Sequence, residues 1–178
     1  LKYLIFCKNI LMEKKISHMK AVSIINENKV NLILDLRKNG IDSPEILRVI
    51  EEIDRSYFVD SHLYDKSNLN TALPIDCGQT ISQPLIVALM TQHLEVKNNM
   101  RVLEVGTGSG YQTLVLSKIA KFVYTVERYK TLHQKAKELL KIIKANNIFF
   151  RHGDGGHGHG GSKVHPEVDT LQAIRAEF

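Results

Sequence analysis

The stretch from Met100 to Tyr111, M-R-V-L-E-V-G-T-G-S-G-Y, constrains this chain more than any other. Arg101 to Val105 is a short run with Val102, Leu103 and Val105 apolar, long enough for a buried strand and too short for a helix before glycines interrupt it. Gly106, Gly108 and Gly110 fall on alternate positions, and apolar residues at helical spacing resume with Leu114, Val115 and Ile119. A strand therefore feeds a glycine-rich turn that feeds a helix. Glycine has no Cβ and tolerates positive φ, so such a turn bends sharply and lets a ligand lie against the backbone. The dinucleotide fingerprint G-x-G-x-x-G fails at its third glycine, where Tyr111 stands; NAD is disfavoured and a smaller nucleoside ligand stays open. Packing alone also produces such turns, so the carboxylates around this one matter. Glu104 precedes it, and Glu127 ends a second apolar run, Phe122 to Val126, where a carboxylate is placed to accept hydrogen bonds from ribose hydroxyls.

E-x-G-x-G-x-G followed by that acid resembles the cofactor site of S-adenosylmethionine-dependent methyltransferases. The second informative stretch is Ala72 to Pro84, A-L-P-I-D-C-G-Q-T-I-S-Q-P, a loop punctuated by Pro74, Gly78 and Pro84, after which Leu85, Ile86, Ala88, Leu89 and Met90 resume a helical spacing. Thr80 or Ser82 is either the N-cap of that helix or, with Gln79 and Gln83, part of a hydrogen-bonding platform facing the glycine turn. L-P-x-x-x-G-Q-T-I-S-Q-P, then R-V-L-E-V-G-T-G-S-G-Y-Q-T about twenty residues later, then R-H-G-D-G at Arg151 to Gly155, is similar to the protein-L-isoaspartate (D-aspartate) O-methyltransferase family. The likeness runs from about Val22 to Gly155.

The resemblance implies an α/β, Rossmann-like methyltransferase fold with an N-terminal helical cap. It implies S-adenosyl-L-methionine as cofactor and methyl transfer to the free carboxylate of L-isoaspartyl or D-aspartyl residues in damaged proteins and peptides. Ser82 matches the position regarded as the active-site serine, with Thr80 as its neighbour. Gly106, Thr107, Gly108 and Gly110 match the cofactor loop, Glu127 the ribose-binding acid and Asp154 the residue near adenine; Glu104 opens the same motif. Asp154 also reads as a solvated turn residue between Gly153 and Gly155, but Ile148 to Arg151 is a third strand and Asp154 lies past its carboxyl end, where ligands collect in open α/β sheets.

Upstream, Val22 to Lys38 is dense in apolar residues and Asn39-Gly40 stops it, predicting a helix. Ser43-Pro44-Glu45 predicts a second helix capped by Ser43, with Ile46, Leu47, Ile50 and Ile53 as its buried stripe. Asp60 to Thr71 reads as loop. Residues 1–20 form a short basic amphipathic extension, too charged and too short to span a membrane, and Met19 is an alternative start. The domain expected is therefore 21–155, with a divergent Gly/His-rich tail over 156–178.

In that tail the family likeness stops. The family continues into a fourth strand; this chain gives G-H-G-H-G-G-S-K and a short end that reads as too short to supply the missing strands. The C-terminal strands are thus expected to be missing, leaving the Val102 to Val105 run an unprotected edge open to association with another chain. An inactive remnant that binds the adenosyl cofactor without turnover is the alternative reading. A methyltransferase for small molecules or nucleic acid is the third, against which Gln79 to Pro84 argues. Histidines 152, 157, 159 and 165 sit in glycine-rich sequence that makes a poor metal site, and none is expected. The net charge of +5 in 178 residues is spread along the chain without a stacking aromatic face, so no nucleic acid partner is expected. Cys7 and Cys77 form no metal or redox motif, which fits a reducing, cytoplasmic setting.

Overall fold

The computed structural model describes residues 27–155 and the backbone of 171–175. The extension at 1–20, the start of the first predicted helix and His157, His159 and His165 lie outside the described residues.

Helix α1 is followed over residues 27–38, burying Leu32 and Leu36. It ends where the sequence places the stop. Gly40 takes a φ of 89°, its N–H bonds the Arg37 carbonyl and the Ile41 N–H reaches back to Leu36, so the last carbonyls are satisfied by a left-handed glycine. Ser43 caps α2 (Pro44–Glu52) by accepting the Ile46 N–H, and Ile46, Leu47, Ile50 and Ile53 are buried as the spacing predicts.

Asp60 to Thr71, expected to be loop, holds a 3₁₀ turn, and the stretch just before it holds another. Two 3₁₀ turns, Arg55–Phe58 and Ser61–Lys66, lead to a short antiparallel hairpin, β1 (Leu73–Pro74) and β2 (Thr80–Ile81). Cys77 and Gly78 both adopt positive φ at its tip. Helix α3 (Pro84–His93) follows, with Gln83 at its N-cap position and no side-chain cap, so neither Thr80 nor Ser82 serves there.

The main sheet then forms: β3 (Arg101–Val105), α4 (Tyr111–Ile119), β4 (Phe122–Glu127), α5 (Lys130–Ile142) and β5 (Ile148–His152). Val102 and Val123, on one face of the sheet, pack with Leu116 of α4, Ala120 just past its end and the partly buried Met90 of α3. The opposite face, carrying Leu103, Tyr124 and Phe149, is half-buried to exposed, and Phe149 stacks on Tyr124 at 4.9 Å between ring centroids.

One expectation is corrected. The edge of β3 is not open: β6 (Leu171–Arg175) pairs with it in parallel, Arg101 against Leu171 through Val105 against Arg175. The strand order is β5-β4-β3-β6, with β3 inside. One ladder needs only about five residues, roughly 17 Å of extended chain. Association through the β3 edge therefore loses its physical basis. Among the described residues no helix is long and apolar enough to cross a membrane, and no group of three metal-ligating side chains converges.

Candidate active site

The glycine turn is held to the sheet from below. The N–H groups of Gly106 and Thr107 bond the Val126 carbonyl of β4, and the Gly110 N–H bonds the Thr107 carbonyl. Gly106, Gly108 and Gly110 all lie in the left-handed region, with φ of 96°, 55° and 90°. Their surroundings differ. A Cβ at Gly106 would meet nothing within 4 Å and one at Gly108 only Ile75 Cδ1 at 3.7 Å, so these two leave open space beside the backbone. A Cβ at Gly110 would press on Leu140 Cδ1 at 3.1 Å and on Ala136 Cβ at 3.3 Å. Gly110 is thus needed for the packing of α4 on α5, whereas the first two glycines shape a cradle.

Glu127 fastens this turn. Its Oε2 accepts the Gly108 N–H at 2.9 Å, its Oε1 the Tyr129 N–H at 2.8 Å, and its carbonyl the Gly153 N–H at 2.9 Å. It is 4% exposed, yet each carboxylate oxygen keeps a second lone-pair direction. Asp154 is exposed, next to Gly153 and beyond the end of β5, on the same carboxyl edge of the sheet.

Glu104 is buried at the end of β3. Its Oε2 accepts the hydroxyls of Thr113 at 2.5 Å and Thr125 at 2.6 Å, and since Thr125 spends its proton there, Thr107 donates to Thr125. Thr107 therefore turns its side chain inward and offers only backbone to the turn. Among the described residues Glu104 Oε1 has no hydrogen-bond partner. Burial pushes the Glu104 carboxyl up to about 7 despite the two threonine hydroxyls that favour its anion, and nearby Glu127 adds to the rise.

Thr80, Ser82, Glu104, Gly106, Thr107, Gly108 and Gln112 line one cleft of about 480 Å³, part of it open to solvent. The hairpin and the turn, far apart in the chain, are brought face to face. Among the described residues no protein group hydrogen-bonds the Ser82 or Thr80 hydroxyl. A second cleft on the other side of Gly108 and Ser109 is bordered by Phe58, Ile75, Leu132 and the Lys135–Asp76 ion pair. Glu127 and Asp154 border neither cleft; Glu127 supports the turn and Asp154 lies past the end of β5.

Sequence reasoning missed Arg55. It is 1% exposed and its guanidinium gathers three backbone carbonyls, including that of Ser82. The signal available was weak: an arginine between two apolar runs normally reads as surface.

The family model of protein-L-isoaspartate(D-aspartate) O-methyltransferase matches residues 26–164. A Caulobacter vibrioides protein-L-isoaspartate O-methyltransferase is 46% identical over 139 residues, covering 78% of this chain and 63% of that one. The Rhodospirillum rubrum relative of the same name is 46% identical over 135 residues, covering 75% and 62%. The chain thus spans less than two thirds of these relatives' length. A solved protein-L-isoaspartate O-methyltransferase superposes with a TM-score of 0.65 at 29% identity, over 71% of this chain and 42% of that one. A Plasmodium falciparum counterpart in complex with S-adenosyl-L-homocysteine gives 0.59 at 26% identity, over 70% and 62%. The sheet is accordingly that of a Rossmann-like methyltransferase, and the chain belongs to the protein-L-isoaspartate(D-aspartate) O-methyltransferase family.

Proposed function

We propose that this chain binds S-adenosyl-L-methionine at the glycine turn and directs its methyl group to the free carboxylate of L-isoaspartyl or D-aspartyl residues in damaged proteins. The observation that carries the reading is the single cleft that Ser82 and Thr80, their hydroxyls without a protein partner among the described residues, line together with Gly106 and Gly108. The residues fit the cofactor. Gly106 and Gly108 leave space that a side chain would fill, and Glu104 Oε1 is a buried acceptor without a donor among the described residues, suited to a cationic ligand. Backbone at Gly106 and Gly108 would hold the group beside Glu104, Glu127 would accept ribose hydroxyls on its remaining lone pairs, and Asp154 would stand near adenine.

When bound, the cofactor supplies an electrophilic methyl on sulfur. The remaining work falls to the chain. The acceptor carboxylate, with a reference pKa of roughly 4, is ionised at neutral pH and needs no strong base. Ser82 donates its hydroxyl proton to one carboxylate oxygen and leaves the other to attack; Thr80 offers a second donor alongside. Fixing that orientation away from water is worth on the order of 7 kcal/mol of the barrier. A cytoplasmic location belongs to the same reading and is checked by cell fractionation.

Methyl transfer from labelled S-adenosylmethionine to an isoaspartyl peptide, with the matching aspartyl peptide as control, tests this function. Transfer to the isoaspartyl peptide alone supports it. Binding of S-adenosylhomocysteine without transfer would favour the inactive remnant.

A further inference from the structure

Arg55 is a charged side chain taken almost wholly out of water, and nothing in the mechanism above uses it. Such burial is costly unless the charge is satisfied. Its Nη1 donates to the Ser67 carbonyl at 2.9 Å, and its Nη2 to the Thr71 carbonyl at 3.0 Å and the Ser82 carbonyl at 3.1 Å. Among the described residues it forms no ion pair with a carboxylate; its charge is spent on three neutral oxygens instead. The guanidinium carbon lies 5.7 Å from the ring centre of Tyr111, the first residue of α4 after the glycine turn. Phe58, from the 3₁₀ turn that Arg55 begins, meets the same ring edge-on at 5.4 Å. One side chain therefore touches both walls of the cleft: the backbone of Ser82 on one side and the residue that ends the glycine turn on the other.

Only a planar fork can do this. A lysine ammonium is a point donor on a flexible stem and cannot span the carbonyls of Ser67, Thr71 and Ser82 while lying over a ring. We propose that Arg55 is the positioning residue of this site: its fork fixes the Ser82 backbone relative to Tyr111 and so sets the Ser82 hydroxyl against the glycine turn. The proposal rests on the methyl-transfer reading for its catalytic consequence, but the geometric part does not.

Arg55 remains protonated at neutral pH although burial lowers its pKa to about 10, the Tyr111 contact opposing the fall. Arg55→Lys keeps the charge and removes the fork. The variant should still bind S-adenosylhomocysteine within about twofold of the parent, while turnover on an isoaspartyl peptide drops roughly 10- to 100-fold in kcat, the scale of a misplaced reacting group. The deciding comparison is a double-mutant cycle with Ser82→Ala. If Arg55 acts through Ser82, adding Arg55→Lys to Ser82→Ala costs little more, whereas additive losses overturn the proposal. Amide hydrogen exchange on the same four proteins gives a readout without turnover. Arg55→Lys should speed exchange over residues 67–71 and 79–85 and leave 101–127 unchanged; unchanged exchange, or acceleration across the whole chain, overturns it. If the parent transfers no methyl group, the functional reading fails by itself, and the exchange pattern alone decides whether Arg55 sets this wall of the cleft.

Discussion

Two alanine substitutions in the glycine turn should fail in opposite ways, because the same residue type stands there for two reasons. Gly110→Ala places a Cβ 3.1 Å from Leu140 Cδ1 and 3.3 Å from Ala136 Cβ at a φ of 90°. Left-handed backbone costs a non-glycine residue about 1–2 kcal/mol, and overpacking a filled interior adds about 1–3 kcal/mol. The expected loss of folding stability is their sum, about 2–5 kcal/mol. Gly106→Ala has the same kind of φ, 96°, but nothing within 4 Å of the new Cβ, so it costs only the backbone strain. That Cβ instead enters space beside the cleft that the ligand would need. A clash of about 1–3 kcal/mol there weakens ligand binding roughly 5- to 150-fold. Urea denaturation measures the first effect and calorimetric titration with S-adenosylhomocysteine the second. A Gly110→Ala variant as stable as the parent, or a Gly106→Ala variant that binds with unchanged affinity, would refute the division of roles.

The other predictions concern the carboxylates and the cleft hydroxyl. Glu104 titrates near 4.5 when unfolded and about 7 when buried, so between those values the folded chain holds the extra proton and stability falls as pH rises, levelling off above 7. Relative to Glu104→Gln, the parent should lose about 3 kcal/mol between pH 4.5 and 8 in denaturation experiments; parallel pH curves would contradict the buried, unpaired oxygen. A cationic ligand beside Glu104 favours its anion, so binding S-adenosylmethionine at pH 7 should release protons, seen as a binding enthalpy that varies with the buffer's ionisation enthalpy and loses that variation in Glu104→Gln. Ser82→Ala should leave cofactor affinity unchanged and lower kcat on isoaspartyl peptide roughly 10- to 100-fold, the worth of one hydrogen bond to a charged group; full activity would move the orienting role elsewhere.

What the sequence made legible was local. The run from Arg101 to Ile119 encodes its own strand, turn and helix, because apolar spacing and glycine placement are decided within a few residues. Ser43 and Gly40 likewise announced one helix start and one stop. What remained hidden depends on contacts distant in sequence. Glu127 reads as a ligand-facing acid, yet its carboxylate also clips the Gly108 and Tyr129 amides, which only the folded turn reveals. Arg55 and its three carbonyls join segments up to 27 residues apart. The 3₁₀ turns between Arg55 and Lys66 escaped notice because their few apolar residues, Phe58 and Leu63 among them, follow neither helical nor strand periodicity. Strand β6 was missed for a different reason. Leu171 to Arg175 is a weak strand by composition, and it is the unpaired side of β3 that recruits it.

The central claim is that one cleft holds methyl donor and acceptor, with Ser82 orienting the acceptor. A structure of the chain with S-adenosylhomocysteine and an isoaspartyl peptide measures this directly. The account predicts the peptide's free carboxylate within about 2.5–3.0 Å of the Ser82 hydroxyl oxygen, and the adenosyl ligand against the Gly106 and Gly108 backbone. A carboxylate bound away from Ser82, or a ligand seated in the cleft bordered by Lys135 and Asp76, would contradict it.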